Sequence, residues 1–254
     1  MLIRDTGDGL ETWMMRRVKA MAFAPGAAVF PGGRVDPRDA DVSVRWAGTD
    51  PQRVADRLQT DAQTARELVT AALRELFEET GTLLAQPLPN VDLEQARMAV
   101  ESRELSLAQF LAGHGCALSA GLVHAWARWV TPAVEKRRYD TWFFVATLPA
   151  GSVARPVSSE ADVAGWVRVG DVLEAYAGGR TLMLPPTVAM LRGLAAAGTV
   201  AQVLAAAPQR SLTPVHPQVS MRADGSVELL ADGARFPFPA AAVKGADGGV
   251  PAAG

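Results

Sequence analysis

An eleven-residue block, AALRELFEETG from Ala71 to Gly81, constrains this chain more than any other stretch. With Glu75 as zero and about 100° per residue, Glu79 falls near +40°, Glu78 near −60° and Arg74 near −100°. Ala65, Val69, Ala72, Leu73, Leu76 and Phe77 occupy the opposite arc, between about 60° and 200°. The block therefore predicts an amphipathic helix that buries one face and gathers three carboxylates within about one turn on the other. Like charges that close repel, and a surface helix gains nothing from them. A hard divalent cation reverses the balance, because Mg²⁺ and Mn²⁺ seek clustered oxygen ligands. A solvated acidic face is the competing reading. Two neighbours weigh against it: Gly81 stands where a helix ends in the left-handed conformation, and Phe30-Pro31-Gly32-Gly33 lies upstream. Paired glycines let a backbone approach a ligand closely.

The block resembles the signature of the Nudix hydrolases, G-x5-E-x7-R-E-U-x-E-E-x-G-U, with U a bulky apolar residue. Arg74-Glu75-Leu76-Phe77-Glu78-Glu79-Thr80-Gly81 matches the second half at every specified position, and Thr82 stands where the last apolar residue is expected. Gly33 matches the opening glycine. Asp39 occupies the place of the first glutamate, and 34 residues separate it from Arg74 where the pattern has 7, an insertion of 27. This split box, behind FPGGRVDP, is similar to the branch that contains peroxisomal coenzyme A diphosphatases and their bacterial relatives, over about residues 1–195. The resemblance implies an α/β (α+β) Nudix fold, a mixed sheet sandwiched between helices, with helical insertions forming one side of the pocket. It also implies Mg²⁺ or Mn²⁺ held by Glu75, Glu78, Glu79 and the Gly33 carbonyl.

Composition excludes several other classes. At 254 residues, 49% hydrophobic and 20% charged, the chain reads as an ordinary globular protein. A net charge of −2 gives no general reason to expect a nucleic acid or an anionic membrane surface as partner. The single Cys116 excludes an internal disulfide or thiolate cluster and suits a small core position in a reducing compartment. No run reaches the roughly 18–20 apolar residues of a membrane span. MLIRDTGDG is unlike a signal peptide and reads as a strand entering a turn, so the native start is open to lying upstream. The expectation is a cytoplasmic protein. A homodimer is expected only by analogy with other Nudix enzymes.

Along the chain, Leu2–Arg4 and Glu11–Val18 predict a hairpin around Thr6-Gly7-Asp8-Gly9. Asp36, Pro37 and Asp39 read as loop. Asp50-Pro51 opens a short helix to about Gln59, and Thr60 or Asp61 caps the box helix. Glu67 is a rival for the displaced glutamate, but roughly 12 Å along the helix axis from Glu75 is too far to share an ion. Residues 91–113 predict two helices parted near Arg103–Ser106. Leu122–Thr131 and Arg138–Leu148 predict paired strands, with a strand around Trp166, a short helix capped by Asp171, and helices over 187–197 and 199–206. A hairpin over 219–230 and an extended Phe236–Pro239 come after them. The expected organisation is one domain over 1–239, with insertions at about 40–61 and 91–115 and an extension at about 185–239. The Ala/Gly-rich 240–254 reads as a disordered tail.

The chemistry implied is cleavage of a diphosphate. Cations cancel the negative charge that repels a nucleophile and bring water toward hydroxide. Arg74 would fix a box glutamate through its two-pronged guanidinium. A glutamate not occupied by metal, or Glu160 or Asp162, would take the proton from water. Arg16 and Arg138 are the candidate phosphate contacts, with a sheet rim and a charged turn as their alternatives; Lys136 and Arg137 extend the second cluster. His114 reads as a loop residue, and three widely spaced histidines argue against zinc. The resemblance makes the substrate a nucleoside diphosphate linked to another moiety. Coenzyme A or acyl-coenzyme A comes first, and NADH, ADP-ribose and nucleotide sugars stay open. A non-catalytic ligand-sensing module is the alternative of another class.

Overall fold

The computed structural model describes residues 1–18, 24–133, 135, 138–149, 151–157, 161–222, 226–231 and 233–237. The expected tail therefore lies outside the described residues, as do Glu160, Lys136 and Arg137.

In chain order the strands are β1 (Leu2–Thr6), β2 (Gly9–Arg17), β3 (Ala28–Val29), β4 (Arg45–Trp46), β5 (Ala85–Gln86) and β6 (Ala117–Leu118). They continue as β7 (Val123–Val130), β8 (Asp140–Thr147), β9 (Ala161–Arg168), β10 (Gln218–Met221), β11 (Val227–Ala231) and β12 (Ala234–Pro237). The helices are α1 (Pro51–Leu58), α2 (Ala62–Thr80), α3 (Leu93–Glu101) and α4 (Leu107–Gly113), then α5 (Val169–Ala177), α6 (Pro185–Ala197) and α7 (Val200–Ala206). The expected helices and long strands are all present. β4, β5 and β6, each of two residues, form a small separate sheet that no periodicity announces.

The main sheet has six strands, ordered β3-β2-β1-β8-β7, with β9 antiparallel along β2. Only β1 and β8 run parallel within it. Side chains of a strand alternate between faces, and here both faces are covered. Trp13 and Met15 enter one core with Leu2, Phe144 and Ala146, while Met14 enters the other with Ile3 and Val145. In β7 the alternation breaks: Trp126 and Ala127 both face the second core, because the register slips between Ala125 and Ala127. Such a bulge inserts one residue and reverses the phase of the residues beyond it.

The first core holds α2, α3 and α4 against the sheet, and the second holds α6 and α7 with the three-stranded β10-β11-β12 sheet. Isolated bridges join Leu182 to Ala27 beside β3 and Val215 to Trp129 of β7. Among the described residues no single helix is long and apolar enough to cross a membrane. Cys116 is buried and free.

Two local expectations change. Asp36–Asp39 is a turn of 3₁₀ helix over Pro37–Ala40, capped by Asp36, in place of a loop. α5 starts at Val169, directly from β9, so Arg168 sits at the cap and Asp171 falls within the first turn. The strand delivers the chain already positioned for a helix, and no side-chain cap is used.

Candidate functional site

α2 is defined by its ends. The Asp61 carboxylate accepts the Thr64 N–H at 2.8 Å, and Gly81 (φ 69°) closes the helix by donating to the Phe77 carbonyl at 2.9 Å. Between them Val69, Leu73, Leu76 and Phe77 are buried, and Phe77 stacks on Phe110 of α4 at 6.4 Å. Thr82 is buried too, in the place of an apolar residue, and its hydroxyl finds no hydrogen-bond partner among the described residues. The acidic face is not a solvated stripe. The side chains of Glu75 and Glu78 are each 14% exposed, and Glu79 is buried. That face lines a cavity of about 920 Å³.

Arg74 organises the carboxylates. Its Nε and Nη2 donate to Asp39 Oδ1 and Oδ2 at 2.9 and 3.0 Å, and Nη2 also donates to the Arg34 carbonyl at 2.8 Å. Nη1 donates to Glu75 Oε1 at 2.8 Å and to both oxygens of Glu78 at 3.2 Å. Burial opposes the Arg74 charge, but hydrogen bonds to Asp39 and the fields of Glu75, Asp39 and Glu78 outweigh it and hold the guanidinium charged. Asp39 also accepts the Asp36 N–H at 2.8 Å. The 3₁₀ turn thus brings the residue at the displaced box position onto the helix that carries the rest of the box. Glu78 has its proton affinity raised by burial, with Arg74 opposing and Glu75 adding to the rise.

The glycine loop closes over the same pole. Gly32 N–H donates to Glu79 Oε2 at 2.7 Å. A Cβ on Gly33 would lie 2.3 Å from Glu75 Oε1, so only glycine lets the loop backbone touch that carboxylate. The donors gathered here are oxygens, the chemistry of a hard divalent cation. Among the described residues no three acidic, histidine or cysteine side chains converge as ready ligands; Glu75 and Glu78 turn toward Arg74, and Glu79 toward Gly32.

The remaining candidates separate. Arg16 points away from the cavity lining and pairs with Asp162 at 2.8 Å, both exposed, while its neighbour Arg17 lines the cavity. The β2–β9 register slips between Arg16 and Arg17. Arg138 is exposed, donates to the Thr131 carbonyl at 3.1 Å and is outside the lining. Glu67 accepts from Gln63 at 3.0 Å on the helix surface. Residues missed in the sequence line the cavity: Arg34, Arg38, Arg103, Tyr139, Trp142 and Thr187. Arg38 holds Asp36 through Nε and Nη2 and the Arg103 carbonyl through Nη1, which keeps the Asp36 carboxyl well below the usual range. Arg103 has a left-handed backbone (φ 65°), uncommon for arginine, in the turn between α3 and α4. No spacing rule joins these residues, because they come from four separate segments.

Comparison with known proteins gives a consistent picture. The model of the NUDT19 Nudix domain matches residues 49–194. The acyl-coenzyme A diphosphatase NUDT19 of Xenopus laevis is 25% identical over 219 residues, 69% of this chain and 57% of that protein. The human protein of the same name is 26% identical over 269 aligned positions, 88% of this chain and 71% of that protein. The chain thus spans little more than half of the first relative's length. The crystal structure of a NUDIX hydrolase from Alicyclobacillus acidocaldarius superposes with a TM-score of 0.66 at 30% identity, covering 77% of this chain and 88% of that one.

Proposed function

The chain belongs to the Nudix hydrolases, and from that membership we propose that it is a divalent-metal-dependent diphosphatase whose substrate is coenzyme A or an acyl-coenzyme A. The observation that carries the reading is Arg74, which draws Asp39, Glu75 and Glu78 together beside Gly33 despite the insertion between the box halves. The names of the vertebrate relatives support the substrate.

Glu75, Glu78 and Glu79, with the Gly33 carbonyl, would hold Mg²⁺ or Mn²⁺. Bound there, the cation would neutralise diphosphate charge and make an attacking water more acidic. Arg74 keeps the carboxylates in register through bonds that a lysine could not make together. Water attacks one phosphorus, the bridging P–O bond breaks, and a box glutamate takes the water's proton. Asp162 is tied to Arg16 outside the cavity, which leaves it poorly placed for that role. Arg34, Arg38 and Arg103 offer cationic contacts to the phosphates at the cavity wall.

A product analysis tests the reading. The protein is incubated with Mg²⁺ or Mn²⁺ and coenzyme A, acyl-coenzyme A, NADH, ADP-ribose or a nucleotide sugar, and products are identified by mass. The expected products are 3′,5′-ADP and a phosphopantetheine. Cleavage of another compound alone overturns the substrate, and no cleavage with either metal overturns the enzyme reading.

A further inference from the structure

Arg103 has a fixed backbone and a loosely held side chain. α3 ends on Ser102, and Arg103 follows in the left-handed conformation (φ 65°), where glycine usually closes a helix. A residue with a Cβ is strained there, and two ties hold the turn. Buried Arg97 of α3 donates through Nη1 to the Glu78 carbonyl at 3.0 Å, which fastens α3 to the box helix. Arg38 donates through Nη1 to the Arg103 carbonyl at 3.2 Å, which fastens the turn to the segment after the glycine loop.

The Arg103 side chain lines the cavity at its solvent-exposed rim. It is 76% exposed, and among the described residues its guanidinium makes no hydrogen bond. Its Nε stands 3.8 Å from Asp36 Oδ2. The Asp36 carboxylate already accepts from Arg38 Nε and Nη2 at 2.9 and 3.1 Å, so two guanidinium groups face one carboxylate. Glu101 shares the lining but is engaged by Arg97 Nη1 at 2.6 Å, and Glu104 is outside the lining.

This position sets Arg103 apart from the bond to be cleaved. From Arg74 the contacts run through Asp39, which accepts the Asp36 N–H at 2.8 Å, then to Asp36 and Arg103. Two acidic residues thus stand between the Arg74 guanidinium and that of Arg103. The substrate group that meets Arg103 is one carried away from the cation at Glu75, Glu78 and Glu79. A guanidinium fork matches a phosphate that can accept two parallel N–H bonds. Coenzyme A carries such a group, a phosphomonoester on its ribose, besides the diphosphate.

We propose that Arg103 binds a phosphomonoester of the substrate outside the scissile diphosphate, and so selects coenzyme A over compounds that lack this group. The assignment rests on the coenzyme A reading and adds a specificity-determining residue from the α3–α4 insertion.

Coenzyme A and 3′-dephospho-coenzyme A differ only in that group, and both keep the scissile diphosphate. Arg103→Gly removes the side chain and suits the left-handed backbone, so the turn stays closed, which a melting curve checks. It should raise KM for coenzyme A roughly 3- to 10-fold with kcat preserved, the loss of an exposed charge-assisted contact, and leave KM for the dephospho compound within about twofold. Arg103→Lys keeps the charge without the fork and should fall between. Added salt should narrow the wild-type preference for coenzyme A. Absence of that preference in the wild type overturns the phosphomonoester contact while the substrate reading stands. So does an Arg103→Gly effect that is equal on the two compounds or missing from both. A wild-type protein that cleaves neither compound overturns the substrate reading, and this assignment with it.

Discussion

Arg74 and Asp39 stand 35 positions apart in the chain and meet through two parallel N–H···O bonds of 2.9 and 3.0 Å, with 7% and 2% of their side chains exposed. The pair clasps the 3₁₀ turn after the glycine loop to the box helix, so the insertion folds outward without parting the two halves. Removing one member of a buried ion pair leaves the other uncompensated, at about 3–5 kcal/mol. Asp39→Ala should lower unfolding free energy by about that amount in a denaturant titration. Arg74→Lys keeps the charge but loses the fork, and turnover should drop about 100-fold or more because the glutamates lose their common holder. An Asp39→Ala protein as stable as wild type would show the clasp to be dispensable.

Glu78 tests the cation. Glu78→Gln preserves shape and removes the charge, and hydrolysis should fall at least about 100-fold at saturating Mg²⁺. Chelation of divalent ions should abolish wild-type turnover, with Mg²⁺ or Mn²⁺ restoring it. Circular dichroism should show the helix content unchanged in the variant. Hydrolysis at the wild-type rate in an intact Glu78→Gln protein would falsify the site assignment.

Gly33 separates catalysis from folding. The φ of this residue is not in the left-handed region, so the constraint is purely the close approach: a Cβ would sit 2.3 Å from Glu75 Oε1 and 2.5 Å from its Cδ. The atom struck is the end of a flexible side chain, which can swing aside. Gly33→Ala should therefore cost only about 1–3 kcal/mol of stability, while displacing Glu75 should slow hydrolysis about 100-fold. Equal and small losses in both measurements would mean that the carboxylate position does not matter.

The features legible in the sequence were local. The box helix carries its own periodicity and end signals at Asp61 and Gly81, and both are used. The resemblance supplied the fold, which the match to a solved NUDIX hydrolase supports. Arg16 and Arg17 are adjacent on β2 yet part in the structure, Arg16 pairing with Asp162 and Arg17 lining the cavity. Tyr139, Trp142 and Thr187 could not be foreseen as neighbours of the box, because only the packing of β8 and α6 around the cavity brings them there. Arg38 and Arg103 meet for the same reason, one from the 3₁₀ turn after the glycine loop and the other from the α3–α4 insertion.

His124 gives the fold a pH signature. It lies half-buried on β7, and burial lowers its pKa from the ordinary 6.5. The unfolded chain therefore takes up the proton at a higher pH than the native protein does. Between 6.5 and the lower native value the unfolded state binds more protons, so stability rises with pH there. The contribution is fully present above the unfolded value, is lost as pH falls through the interval, and is flat below the native value. Denaturant midpoints taken from pH 5 to 8 should decline on the acid side for wild type. His124→Gln, which has no proton to gain, should decline less, and comparing the two proteins cancels every other titrating group. Parallel curves for the two proteins would assign the acid sensitivity elsewhere.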